Sequence, residues 1–92
     1  MDKQIKEIFC ITQEECAEVT QAISKIFRFG IDTSWNGRTN KQRLEEELGD
    51  LMAMIYILQM SGIVSEENVL KASEDKMEKL AKWSNINLSE DK

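Results

Sequence analysis

The stretch TNKQRLEEELGDLMAMIYILQMSG, residues 39–62, decides the fold of this chain. Leu44, Leu48, Leu51, Met52, Ile55 and Leu58 recur mostly at steps of three and four. That spacing lines one face of a helix; a half-buried strand would alternate instead. Thr39 and Gln42 stand three apart at its start, the spacing of a capping box. Gly62 closes it, so the pattern predicts a helix over about residues 40–61. Its longest apolar run, Leu51 to Leu58, is too short to span a bilayer.

Working outward, residues 3–29 form a second such pattern. Ile5, Ile8, Phe9, Thr12, Cys16, Val19, Ile23 and Ile26 make one apolar face, and Gly30 is a natural stop. Between the two helices, Gly30 to Thr39 carries the turn signal Asn36-Gly37. It is long for a helix–helix link, a property of functional connectors. A third helix starts after Ser65, an N-cap followed by Glu66 and Glu67. Val69, Leu70, Met77, Leu80 and Ala81 give it an apolar face, and it runs to about Trp83. Residues 85–92 read as a polar, frayed tail.

Ninety-two residues with no proline make one all-α domain, 1–92. Three amphipathic helices give a thin core. We therefore expect antiparallel helices that complete a four-helix-bundle-type core by homo-oligomerisation, as a homodimer or homotetramer. A net charge of -5 argues against nucleic acid or an anionic membrane as partner. The start Met-Asp-Lys carries no signal-peptide core. Cys10 and Cys16 fit no metal or redox spacing, and free thiols suit a reducing, cytoplasmic setting. With no histidine in the chain, His-based catalysis and His-ligated metals are excluded. Phosphate-loop and EF-hand motifs are also missing.

Two acidic pairs remain to be explained. Glu15 and Glu18 are three apart on the first helix, and Glu47 and Asp50 three apart on the second. Neighbours at that spacing present both carboxylates to one place. At about 100° per residue, Glu15 lies about 60° from the centre of its apolar stripe and Glu18 about 120°. Glu47 and Asp50 lie about 75° and 135° from theirs, on the same hand. Antiparallel packing would bring the four together beside the core. Four converging carboxylates repel unless a cation joins them, and a hard divalent ion with oxygen ligands is the simplest remedy. Mg²⁺ commonly completes its shell with substrate phosphates. Gly49 lies between the second pair; a helical glycine costs about 1 kcal/mol against alanine, which suggests close approach of a backbone or ligand. Glu14 and Glu46 point away and read as solvated. Acidic helix faces are also commonly solvated or salt-bridged without any metal, and that reading stands beside the first.

The run Glu14-Glu15-Cys16-Ala17-Glu18, followed after 28 residues by Glu47-Leu48-Gly49-Asp50, resembles the E-E-x-x-E … E-x-x-D signature of the MazG-like all-α NTP pyrophosphatases. Ser24-Lys25, Arg28-Phe29-Gly30, Gly37-Arg38-Thr39-Asn40 and Lys79-Leu80-Ala81-Lys82-Trp83-Ser84-Asn85 look like the small phage and bacterial members. The resemblance implies a nucleotide pyrophosphohydrolase that turns a (d)NTP into (d)NMP and pyrophosphate, in nucleotide-pool control. It implies Glu15, Glu18, Glu47 and Asp50 as catalytic metal ligands for Mg²⁺, with Mn²⁺ able to substitute. The metal would bridge the phosphates, lower the pKa of water and neutralise the leaving pyrophosphate.

Lys25, Arg28, Arg38, Lys76 and Lys79 are candidates for the remaining phosphate charge. Trp35 or Phe29 is a candidate for stacking on the base. Purine nucleotides such as dGTP or GTP are candidate substrates, and host cytoplasm the expected place for a phage-encoded member. One departure is Glu74-Asp75-Lys76-Met77-Glu78-Lys79-Leu80, where some relatives read Asn-x-Lys-Phe-x-x-Arg. Most of these candidates have a plainer reading: Lys25 and Arg28 as complements to a helix end, Lys76 and Lys79 as a solvated face, Trp35 as an interface plug. Two further readings of the chain are a non-catalytic helical interaction module and a relative that binds nucleotide without cleaving it.

Overall fold

The computed structural model describes residues 1–88. Helix α1 spans Lys3–Phe29, α2 Asn40–Met60 and α3 Glu66–Trp83. Strands β1 (Ser34–Trp35) and β2 (Arg38–Thr39) lie in the α1–α2 connector. The protein is mostly helical, as its periodicity predicts. Residues 85–88 carry no regular structure, and the remainder of the expected tail, 89–92, lies outside the described residues.

Local chemistry sets the helix ends. The Asp2 carboxylate accepts from the backbone N–H groups of Gln4 and Ile5, capping α1. The Gly30 N–H closes its C-terminus on the Ile26 carbonyl, and φ of 101° favours glycine there. At α2 the Thr39 hydroxyl accepts from the Gln42 N–H, while the Gln42 side chain accepts from the Thr39 N–H. This is the capping box expected from the spacing. The Ser65 hydroxyl caps α3 by accepting from the Asn68 N–H.

The connector holds a two-residue antiparallel ladder, Ser34 opposite Thr39 and Trp35 opposite Arg38. Asn36 and Gly37 both have positive φ, 54° and 78°. Such pairs build the tight hairpin turns whose twist matches paired strands. The dipeptide signals the turn, but two residues per strand are too few to show alternation, so the pairing is not legible in the sequence.

α1 and α2 pack antiparallel. The Asn40 side chain donates to the Gly30 carbonyl at 2.8 Å, joining the end of one helix to the start of the other. Further along the seam, Glu15 and Glu18 meet Glu47. The seam differs from the expected stripes. Ile8 and Ala22 are buried, and Ile5, Thr12, Glu15, Val19 and Ile26 half-buried. Phe9, Cys16 and Ile23, assigned to the stripe, are exposed. On α2 the seam follows Asn40, Leu44, Glu47, Leu51, Met54 and Leu58, and leaves Leu48, Met52 and Ile55 exposed. Each sequence stripe averages two faces, one turned to the neighbouring helix and one to solvent. Relative to the observed seam, Glu15 sits only about 30° from the centre.

α3 packs closely on neither α1 nor α2. Leu70 and Met77 on its apolar face are exposed. No described side chain is fully buried. The accessible surface of 7687 Å² is about 40% above the ~5,500 Å² expected for a folded monomer of this mass. The radius of gyration, 16.1 Å, exceeds the ~12 Å of a compact chain of this length. Much apolar surface is thus left exposed on the single chain. No helix among the described residues is long and apolar enough to cross a membrane.

Candidate functional site

The acids sit at mid-seam because their helices place them there. Glu15 follows Ile8 and Thr12 along the buried side of α1, and Glu18 is its neighbour one turn on. Glu47 lies between Leu44 and Leu51 on α2. Carboxylate oxygens of Glu15, Glu18 and Glu47 all lie within 4.8 Å of one another. Asp50 is exposed and outside that trio. It stands near enough for its charge to act on both Glu15 and Glu47.

The electrostatics record the crowding. Burial pushes the Glu15 carboxyl above its ordinary value, and the charges of Glu18, Asp50 and Glu14 push it further. Glu47 is pushed up to about 7, first by a hydrogen bond with Glu18, then by burial and the charges of Glu18, Asp50 and Glu15. Two carboxylates in hydrogen-bond contact must share a proton, because both cannot ionise cheaply at that range. The buried Oε2 of Glu15 has no hydrogen-bond partner. An orphaned buried carboxylate oxygen beside two more is a site short of positive charge.

The donor set fits a hard cation. All three groups are carboxylates, the ligands that Mg²⁺ and Mn²⁺ accept. Mg–oxygen bonds of about 2.1 Å put opposite ligands about 4.2 Å apart, close to the spread found here.

A cavity of about 350 Å³ opens beside these acids. Glu18 and Glu47 line it, and Lys25, Arg38 and Arg43 contribute positive charge. A second cavity of about 390 Å³ adjoins it, walled by Phe29, Thr33, Ser34 and Trp35. Lys25, Asn40 and Arg43 line both.

The basic candidates divide. Lys25 lines both cavities, and Arg38 the acid-bearing one. Arg38 is ion-paired with Glu46, because the hairpin folds it back over the first turns of α2. Glu46 is exposed, as expected, and borders the cavity through this pairing. Arg28 lines neither cavity; its guanidinium lies 5.0 Å from the Phe29 ring centre. Trp35 and Phe29 share the second cavity. Lys76 and Lys79 line neither cavity; α3 carries them away from the α1–α2 seam, and Lys79 borders a groove on α3 itself. A Cβ added at Gly49 would meet nothing within 4 Å, so the backbone approach expected there is not found among the described residues.

Sequence reasoning passed over Asn40 and Arg43. Asn40 is 7% exposed, a buried polar residue behind a capping threonine. The Arg43 guanidinium donates to the Trp35 carbonyl at 2.8 Å and lies 5.2 Å from its ring centre. Both roles depend on where the hairpin folds, and no local pattern announces them. Cys10 and Cys16 are free and exposed.

No curated protein and no solved structure matches the chain. The model of the MazG nucleotide pyrophosphohydrolase domain matches residues 3–84. That span takes in both acid-bearing helices, the hairpin and all of α3, so the chain belongs to the MazG family.

Proposed function

We propose that this protein hydrolyses a (d)NTP between its α and β phosphorus atoms, releasing (d)NMP and pyrophosphate, with Mg²⁺ held by Glu15, Glu18, Glu47 and Asp50. The observation that carries the reading is the trio of carboxylates from two helices, within 4.8 Å, with an unpartnered buried oxygen on Glu15. When bound, Mg²⁺ supplies positive charge against the leaving pyrophosphate and makes water more acidic.

The chain's own residues do the rest. Glu47 holds a proton toward Glu18, and that proton would have to leave for the two to hold a cation together. Lys25 and Arg43, which line the same cavity as Glu18 and Glu47, meet the phosphates there. Arg38 reaches them by leaving Glu46, an exposed pairing of the kind worth little. The cavity at Trp35 and Phe29 takes the base, a purine in the first instance. Arg28, set against Phe29, braces that wall.

The apolar faces left open on α2 and α3 support self-association as a homodimer or homotetramer. A helix with a second exposed stripe at Leu48, Met52 and Ile55 is built to be covered on both sides. Lys76 and Lys79 enter the phosphate site only from the α3 of another copy.

The test is product identity. Purified protein, Mg²⁺ and a panel of common NTPs and dNTPs, dGTP and GTP first, are followed by phosphorus NMR. Monophosphate and pyrophosphate are expected. Nucleoside diphosphate with orthophosphate from every substrate would refute the proposed bond cleavage. Binding without turnover would leave a nucleotide-binding protein and remove the catalytic reading.

A further inference from the structure

The two cavities meet at Arg43, and its contacts do more than fill a wall. It lies eight residues after Trp35, across the hairpin. One guanidinium holds both parts of that residue, the carbonyl by a hydrogen bond and the indole by a cation–π contact. A guanidinium has five N–H donors in one plane. The bond to Trp35 uses one of them, and the same group borders the cavity beside Glu47. Asn40 also lines both cavities, and its bond to Gly30 ties the start of α2 to the end of α1. Trp35 is 67% exposed, so the indole is not covered by its contact with Arg43.

We infer that Arg43 is a positioning residue that joins the two cavities into one site, making base recognition at Trp35 depend on the same side chain that faces the phosphates. The inference rests on the nucleotide reading above and adds a specificity mechanism to it. Arg43 sets the height and tilt of the indole against which a base stacks. Its remaining donors meet the phosphate chain from the other side. Lysine in its place keeps the charge but has no planar group to lie against the ring and no fork to serve both contacts.

The experiment compares ligands with and without a base. Binding of the α,β-methylene analogues of dGTP and dCTP, and of inorganic tripolyphosphate, is measured by calorimetry with Mg²⁺. The proteins are wild type, Arg43→Lys, Trp35→Ala and the double variant. Arg43→Lys is expected to weaken the preferred analogue about tenfold and tripolyphosphate less than about threefold, since a stack and a hydrogen bond are lost while the charge stays. Trp35→Ala is expected to show the same preference, and the double variant to lose no more than the worse single change, because the residues act as one unit.

Equal weakening of analogue and tripolyphosphate in Arg43→Lys would overturn the inference, and so would full additivity. A purely structural defect gives equal weakening, so the ratio separates the two. Wild type that binds tripolyphosphate but neither analogue refutes the joined site. Wild type that binds none of the three refutes the nucleotide reading as well.

Discussion

Replacing Glu47 by Gln tests the acid cluster through stability as well as activity. In the metal-free protein the Glu47 carboxyl is pushed up to about 7 from an ordinary 4.5. The native state therefore holds a proton that the unfolded chain has released across that window. Stability conferred by this proton is present below pH 4.5 and is lost as pH rises through about 7. At about 1.36 kcal/mol per pH unit, the gap bounds the loss at about 3 kcal/mol. Glu47 is half-buried at a solvated rim, and screening brings the figure to about 1 kcal/mol.

Glutamine carries no charge at any pH and offers Glu18 a permanent N–H donor. At pH 7.5 with chelator, Glu47→Gln should melt about 4–8 °C above wild type, the shift that about 1 kcal/mol gives in a domain of this size. Mg²⁺ should invert the order. A cation at a hundred times its Kd stabilises the binding state by about 2.7 kcal/mol, which the variant forgoes along with turnover. Melts at equal protein concentration, with and without Mg²⁺, read both effects. A variant that melts at or below wild type in chelator would refute the electrostatic reading. One that keeps the full Mg²⁺ shift would refute Glu47 as a ligand.

Three further outcomes follow from the same geometry. Mg²⁺ binding should tighten as pH rises from about 6 to 8, because Glu47 titrates near 7 and its proton must leave; calorimetry in two buffers of different ionisation enthalpy reads the released proton. Gly49→Ala should raise metal-free stability by about 1 kcal/mol if the open space at that Cβ persists in the assembled protein. A loss in denaturant melts would instead place another chain against it. Met52→Glu, 69% exposed in the protomer, should shift the mass measured by light scattering toward the monomer while far-UV dichroism keeps its helical form.

The helices are legible in the sequence because their ends are local events. Thr39 with Gln42, Ser65 with its acidic first turn, and Gly30 each announce themselves within four residues. The rotation of α1 is not legible. Phe9, Cys16 and Ile23 are as apolar as Ile8 and Val19, and periodicity cannot say which of two adjoining faces meets α2. The true seam runs through Glu15, a residue that a hydrophobicity count places outside it. The pairing of Glu15 and Glu18 with Glu47 is foreshadowed by spacing, since carboxylates three apart share a surface whichever way the helix turns. Arg43 and Asn40 act across the hairpin, and Arg38 finds Glu46 only once that hairpin has folded. Lys76 and Lys79 look equivalent to Lys25 in sequence, and only the path of α3 separates them.

The ladder Ser34–Thr39 and Trp35–Arg38 closes around two residues, each in a left-handed conformation. Side chains on a strand switch faces with every step, so one inserted residue would turn Trp35 to the opposite side of the ribbon. Length at this bend is therefore constrained more tightly than composition. Glycine or aspartate can replace Asn36 with modest effect, whereas a single insertion would point the indole away from its neighbour.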